Sequence, residues 1–165
     1  MRRLLLPLLA VAAGCSAFDR NPCSITGGEP DVPSGTLQAN RDGTTYVANT
    51  GLRGYRLQND RTNIEAGDIT LQIGKDKDGN NVQDLIDRNK FPICILLDDQ
   101  SDGTTYAQVR AGGVSYGTDS SHTGTVALTG KAGDELLGRF ELEAVQNSGS
   151  GTTRLEDGQF RLGPR

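Results

Sequence analysis

At 165 residues the chain has room for one domain, with or without an address segment in front, and it is acidic, with 17 Lys and Arg against 21 Asp and Glu for a net charge of −4. That balance argues against nucleic acid as a partner, because phosphate binding needs a basic face. A single histidine, His122, excludes metal sites built on two imidazoles, and 22 glycines with 5 % aromatics and no tryptophan point to tight turns joining short strands.

The chain opens on a short basic start, Met1-Arg2-Arg3, followed by an apolar run from Leu4 to Ala13 broken only by Pro7. The run is too short to span a bilayer and reads as an export signal over residues 1–14. It closes in Ala12-Ala13-Gly14-Cys15, which resembles the lipobox of bacterial lipoproteins: small residues before a cysteine that is lipidated and becomes the new amino terminus. An ordinary secretory signal cut nearby is the plainer alternative. No Asp follows Cys15, so the resemblance implies the outer membrane, with the domain facing the periplasm or the cell surface. More than one acyl chain would make the anchoring effectively permanent.

Residues 15–35 carry Pro22, Pro30 and Pro33 and little apolar periodicity, the composition of an extended arm. With Cys15 assigned to lipid, Cys23 and Cys94 remain in an oxidising compartment and are expected to pair. Closing a loop of about seventy residues would stabilise the fold by roughly 4 kcal/mol on the chain-entropy view. Two free thiols, one buried in a strand, are the alternative.

Over residues 36–165, short β-prone runs alternate with Gly, Asn and Asp clusters, which predicts an all-β domain, an antiparallel β-sandwich of about nine strands. The strands are placed at 36–40, 44–49, 54–58, 68–73, 93–98, 105–111, 125–129, 137–146 and 153–162. Ile69, Leu71 and Ile73 alternate with Thr70 and Gln72, and Phe140, Leu142 and Ala144 with Glu141 and Glu143, so each strand has one wet face. Only 81–89 breaks the pattern: Val82, Leu85 and Ile86 fall at helical spacing behind a possible Asn80 cap. Asp42-Gly43-Thr44-Thr45-Tyr46 recurs as Asp102-Gly103-Thr104-Thr105-Tyr106, an Asp-Gly turn feeding a strand. Gly138-Arg139-Phe140 rhymes with Gly158-Gln159-Phe160 across a hairpin tip at 147–151, with both phenylalanines expected on one buried face.

Four places invite chemistry. Asp76, Asp78, Asn80 and Asp84 alternate around Gly79 as calcium ligands do, but setting Gly79 at the sixth position of an EF-hand loop puts Gly74 at the first and Leu85 at the twelfth. A polar strand-to-helix turn explains them as well. His122 lies beside Asp119, Ser120 and Ser121, yet neighbours in one loop cannot ordinarily aim at one another as nucleophile, base and orienter. Asp98 and Asp99 with Glu141 and Glu143 suggest a glycosidase pair, or simply charges on a wet sheet face. Tyr46, Tyr55, Tyr106 and Tyr116 would form a binding patch if two or more shared an exposed face.

The opening Thr36-Leu37-Gln38-Ala39-Asn40, its Asp42-Gly43 turn and Tyr46-Val47-Ala48 are followed by Tyr116 before a polar loop. Then come the Gly124-Thr125-Val126-Ala127-Leu128 strand, Leu137-Gly138-Arg139-Phe140 and the closing Asp157-Gly158-Gln159-Phe160. In this order they resemble a family of small β-sandwich lipoproteins of bacterial envelopes, a domain of unknown function. Tyr46 stands where that family often has Trp, and the Cys23 and Cys94 pair is this chain's own. The resemblance implies a fold and a location and carries no catalytic residues. The expectation is therefore a non-catalytic accessory protein, held to the membrane through lipid on Cys15, docking an envelope protein partner and using no cofactor. An envelope hydrolase working through carboxylates or a Ser/His site is the alternative.

Overall fold

A computed structural model describes residues 28–51, 53–58, 60–98 and 104–165. The segment expected to be an export signal (residues 1–14), Cys15, Cys23, Asp99, Asp102 and Gly103 lie outside the described residues. The fold is all-β and antiparallel, with eleven strands and one helix among the described residues: β1 (Thr36–Arg41), β2 (Thr44–Ala48), β3 (Arg53–Gln58), β4 (Arg61–Ala66), β5 (Ile69–Ile73), α1 (Val82–Asp87), β6 (Ile93–Leu97), β7 (Tyr106–Ala111), β8 (Val114–Gly117), β9 (Gly124–Ala132), β10 (Glu135–Gln146) and β11 (Thr152–Leu162).

The count of nine is corrected to eleven by β4 and β8. In β4 the inward residues are Thr62, Ile64 and Ala66, all fully buried yet mostly small or polar, so the alternation is faint in sequence. β8 spans only four residues, entered through Gly112-Gly113, both at positive φ (57° and 80°), the pairing a two-residue hairpin loop requires. Asp42 (φ 50°) and Gly43 (φ 81°) close β1 onto β2 in the same way.

All strands belong to one hydrogen-bonded sheet that curls until it nearly closes. Its main path runs β2-β1-β11-β10-β8-β7-β5-β4-β3, and β9 pairs with β10 on one side and β6 on the other. Six strands (β6-β9-β10-β11-β1-β2) thus join five (β8-β7-β5-β4-β3) through only two residue pairs, Val145 with Gly117 and Gln146 with Tyr116. At the far end, the Tyr55 N–H of β3 donates to the Gly163 carbonyl at 3.0 Å and the Arg165 N–H donates to the Tyr55 carbonyl at 3.0 Å, drawing the edges together.

The core lies inside this curl and is filled by Leu37, Ile64, Ile69, Leu71, Ile73, Ile95, Leu97, Leu128, Phe140 and Phe160, each fully buried. The hairpin echo has a packing basis. In the β10–β11 register Gly138 faces Phe160 and Phe140 faces Gly158, so each ring lies over the opposite glycine, and the two rings sit 6.4 Å apart. α1 adds Val82 and Ile86 to the same core. Its N-cap is Asn81 and not Asn80: the Asn81 side chain accepts from the Asp84 N–H at 3.2 Å, while the Asn80 amide turns back to Asp76.

Residues 28–35 run along the outward face of the sheet. The Gly35 N–H donates to the Arg161 carbonyl at 2.8 Å, Val32 is 7 % exposed, and Ser34 donates to Glu135, which pairs with Arg161 at 2.6 Å. The Ser34 hydroxyl and the Arg161 guanidinium hold the Glu135 carboxyl below the usual carboxylate range.

Candidate functional site

The acidic turn before α1 spends its oxygens on itself. Asp76 Oδ1 accepts from the Asp78 and Asn80 N–H groups at 2.9 and 2.8 Å, and Oδ2 accepts from the Asn80 side-chain amide at 2.9 Å. Burial alone would raise the Asp76 pKa, but the hydrogen bonds from Asn80 and Asp78 and the nearby Lys77 charge outweigh it and lower it. Asp78 pairs with Lys77 at 2.8 Å, out in solvent, and the Asp84 carboxylate is exposed on α1. Among the described residues no three His, Cys, Asp or Glu side chains converge to hold a metal ion. The turn acts on the sheet instead: the Lys77 N–H donates to the Cys94 carbonyl at 2.8 Å and covers the free edge of β6.

His122 does meet Asp119, with Nδ1 3.0 Å from Oδ1. The same oxygen accepts from the Ser121 and His122 N–H groups at 2.8 and 2.6 Å, while the Asp119 N–H donates to the His122 carbonyl at 2.9 Å. Burial pushes the Asp119 pKa up, and these hydrogen bonds, with the imidazole, bring it below its ordinary value. The pair is a loop-closing Asx turn in which one carboxylate oxygen, Oδ1, takes all three contacts. Neither the Ser120 nor the Ser121 hydroxyl bonds the ring among the described residues.

The carboxylates share a face. Since β9 pairs Gly124 with both Leu97 and Leu142, Asp98 and Glu143 lie on the outward side with one strand between them, roughly 10 Å across the backbone. Glu143 stands opposite Arg154, and Glu141 points outward one row away. This is a charged sheet surface.

The tyrosines are separated. Tyr46 packs under Arg41, 4.7 Å from guanidinium carbon to ring centroid, and its hydroxyl accepts from the Asp68 N–H at 2.8 Å. Tyr55 is buried and donates to the Asp134 carbonyl at 2.9 Å; burial, with the negative charges of Asp134 and Asp87, raises its pKa. The Tyr106 hydroxyl donates to Gln72, its cross-strand partner on the adjacent β5, and Tyr116 packs against the core. They make no common patch.

Two features were not legible as sites. A cleft of about 580 Å³ is lined by Gly28, Glu29, Pro92, Thr129, Lys131 and Leu137, and among the described residues the buried Thr129 hydroxyl has no hydrogen-bond partner. The other is β2. Its two-residue loop makes Arg41 and Thr44 a hydrogen-bonded pair, so Thr45 and Val47 turn their N–H and C=O groups away from β1. No backbone hydrogen bond reaches that side of β2 among the described residues. Among the described residues Val47, at 44 % exposed, is the more exposed of two large apolar side chains left in solvent, and β2 itself carries no charge. The signal in sequence was the uncharged Thr-Thr-Tyr-Val-Ala run; its place at the end of the sheet is set by long-range pairing.

Comparison of the chain with protein families, with curated proteins and with solved structures finds no match.

Proposed function

We propose that this chain is an exported bacterial envelope lipoprotein, anchored in the outer membrane through Cys15, that docks a protein partner by strand addition at β2 and performs no chemistry itself. The open β2 edge carries this reading. Natural sheets guard such edges with charge, proline or a covering loop. Among the described residues the acidic turn bonds the β6 edge and residues 163–165 cover β3, while β2 keeps free backbone groups beside an exposed Val47. An extended partner segment could pair with Thr45 and Val47, its side chains adding specificity. The export signal, the small residues before Cys15 and the disulfide-bonded state of Cys94 support the location. The six- and five-strand halves, joined by two pairs, favour reading the curled sheet as a flattened sandwich, as in the small envelope lipoproteins that the sequence resembles.

The test places a photo-reactive amino acid at position 47 in intact cells, with position 56, on the outward face of β3, as control. A protein adduct specific to 47 is expected, and Val47→Pro, which removes an outward N–H from an edge strand, should abolish capture by a second reporter at position 45. Equal adducts at 47 and 56, or capture unchanged by Val47→Pro, would overturn docking at β2.

A further inference from the structure

The outward face of the five-strand half is polar and locally positive. Tyr55, Ile64, Leu71 and Ala107 face the core in one row across β3, β4, β5 and β7, so their neighbours along each strand point outward. Arg56, Asn63, Gln72 and Tyr106 form one outward row, and Gln108 stands in the next beside Thr70. Among the described residues of these four strands no outward side chain is aliphatic. The face spans three strand spacings, about 14 Å, and the length of β5, roughly 20 Å from Asp68 to Gly74.

Its cations are unspent. Arg56, Arg61, Lys75 and Arg110 are exposed, and among the described residues none of them makes an ion pair. Glu65 is the one carboxylate borne by these four strands, and Arg165 already holds it; Asp60 and Asp68 lie outside the strands. On the six-strand half, by contrast, Arg154 pairs with Glu156 and Arg161 with Glu135. Arg61 and Lys75 also line a shared cleft of about 200 Å³ with Asp60, Asn81 and Thr104. On a chain whose net charge is −4, such a face is a local reversal of sign that draws anions to one place.

We infer that this face binds an anionic polysaccharide, a chain that carries carboxylates beside free hydroxyls. The guanidinium forks of Arg56 and Arg61 match carboxylates two bonds at a time. The side-chain amides of Asn63 and Gln108 are unbonded among the described residues, and each offers a donor and an acceptor side by side, the pair that neighbouring sugar hydroxyls require. The Tyr106 hydroxyl donates to Gln72 at 3.4 Å, which lays the half-buried ring along the sheet as a surface for the C–H face of a sugar. A protein partner would want an apolar centre and a bilayer would want apolar side chains to insert, and this face offers neither. It lies on the other half of the sheet from β2, at the opposite end of the main strand path, and stands whether or not β2 docks a partner.

Retention of the purified full chain on immobilised alginate, a uronic-acid polymer, tests the inference, with neutral dextran of matched length as reference. Alginate should bind and dextran should not. Arg56→Glu combined with Arg61→Glu should weaken alginate binding roughly tenfold or more, whereas Lys131→Glu, the same charge change at an exposed residue of the six-strand half, should leave it within about twofold. Asn63→Ala alters no charge and should cost about fivefold through its lost hydrogen bonds. Arg110→Glu probes the far end of the face and keeps the test open if the double variant does not fold. Equal retention on dextran, alginate binding unmoved in the folded variants, or capture of single-stranded DNA as tight as that of alginate would overturn the anionic-glycan face. Alginate left unbound while phosphatidylglycerol vesicles recruit the protein through Arg56 and Arg61 would overturn it in favour of a lipid surface.

Discussion

Gly138→Ala isolates the packing that organises β10 and β11. A Cβ at this position would lie 2.3 Å from Phe160 Cζ, 2.7 Å from its Cε1 and 2.9 Å from the Ala127 carbonyl oxygen, whereas ordinary contact begins at 3.4 Å. The ring would have to retreat by roughly an ångström, and it is fully buried with Phe140 behind it. Interiors packed at crystal-like density do not absorb that, so overpacking should cost about 1–3 kcal/mol. For a domain of this size the melting temperature should fall by roughly 2–12 °C. The diagnostic comes from Phe160→Leu, which removes the ring atoms that collide. Alone it should destabilise by leaving space; combined with Gly138→Ala it should cost less than the sum of the two, with coupling of about 1 kcal/mol. Recovery should be partial, because the Ala127 carbonyl remains in the way. Urea unfolding followed by circular dichroism measures all four species. A Gly138→Ala protein within ~0.5 kcal/mol of wild type, or a cycle with no favourable coupling, would refute the reciprocal Gly and Phe packing.

Asn81→Ala should lose about 1 kcal/mol by removing the α1 cap, with Asn81→Asp retaining most of it; equal melts for both variants would deny the cap its role. Asp76, Asp119 and Glu135 are held below their ordinary carboxylate range, so each supports the fold above its unfolded pKa and withdraws that support as pH falls through the lower folded value. Stability should therefore decline below about pH 4, with Glu135→Gln flattening that decline; a decline identical to wild type would count against the Ser34, Glu135 and Arg161 contact. Millimolar calcium should leave the melting temperature unchanged, since Asp76 already accepts three hydrogen bonds from its own turn; a calcium-dependent rise would establish the turn as a binding site. Cys15→Ala should release the protein from membranes yet leave its melting unchanged. Loss of folding in that variant would show that the folding domain does not begin near Thr36.

Sequence periodicity carried the all-β class because the signals were local: alternation in Ile69, Leu71 and Ile73, the Asp42-Gly43 turn, and helical spacing in Val82, Leu85 and Ile86. The two missed strands show where local signals weaken. Thr62 and Ala66 are inward residues whose types do not announce burial, and Val114 to Gly117 is too short for periodicity, although Gly112-Gly113 was a readable hairpin turn. The Asn81 cap was missed by one position because Asn80 is equally suited to capping, and only the pull of Asp76 on Asn80 decides between them. The candidate sites needed strand order, which no local rule supplies. Asp98 and Glu143 are 45 positions apart and meet on one face only through β9, and β2 becomes an open edge only because β1 takes β11 as its other neighbour. The Gly and Phe echo was visible as a rhyme, and its meaning, each ring over the opposite glycine, required the register.

The intact mass of the mature protein, purified from the cell envelope, tests the central claim most directly. An envelope lipoprotein predicts a chain that begins at Cys15 and carries the added mass of its acyl groups, with residues 1–14 removed. An unmodified chain, cut at another bond or retaining its leader, would contradict the anchoring on which the proposed docking role depends.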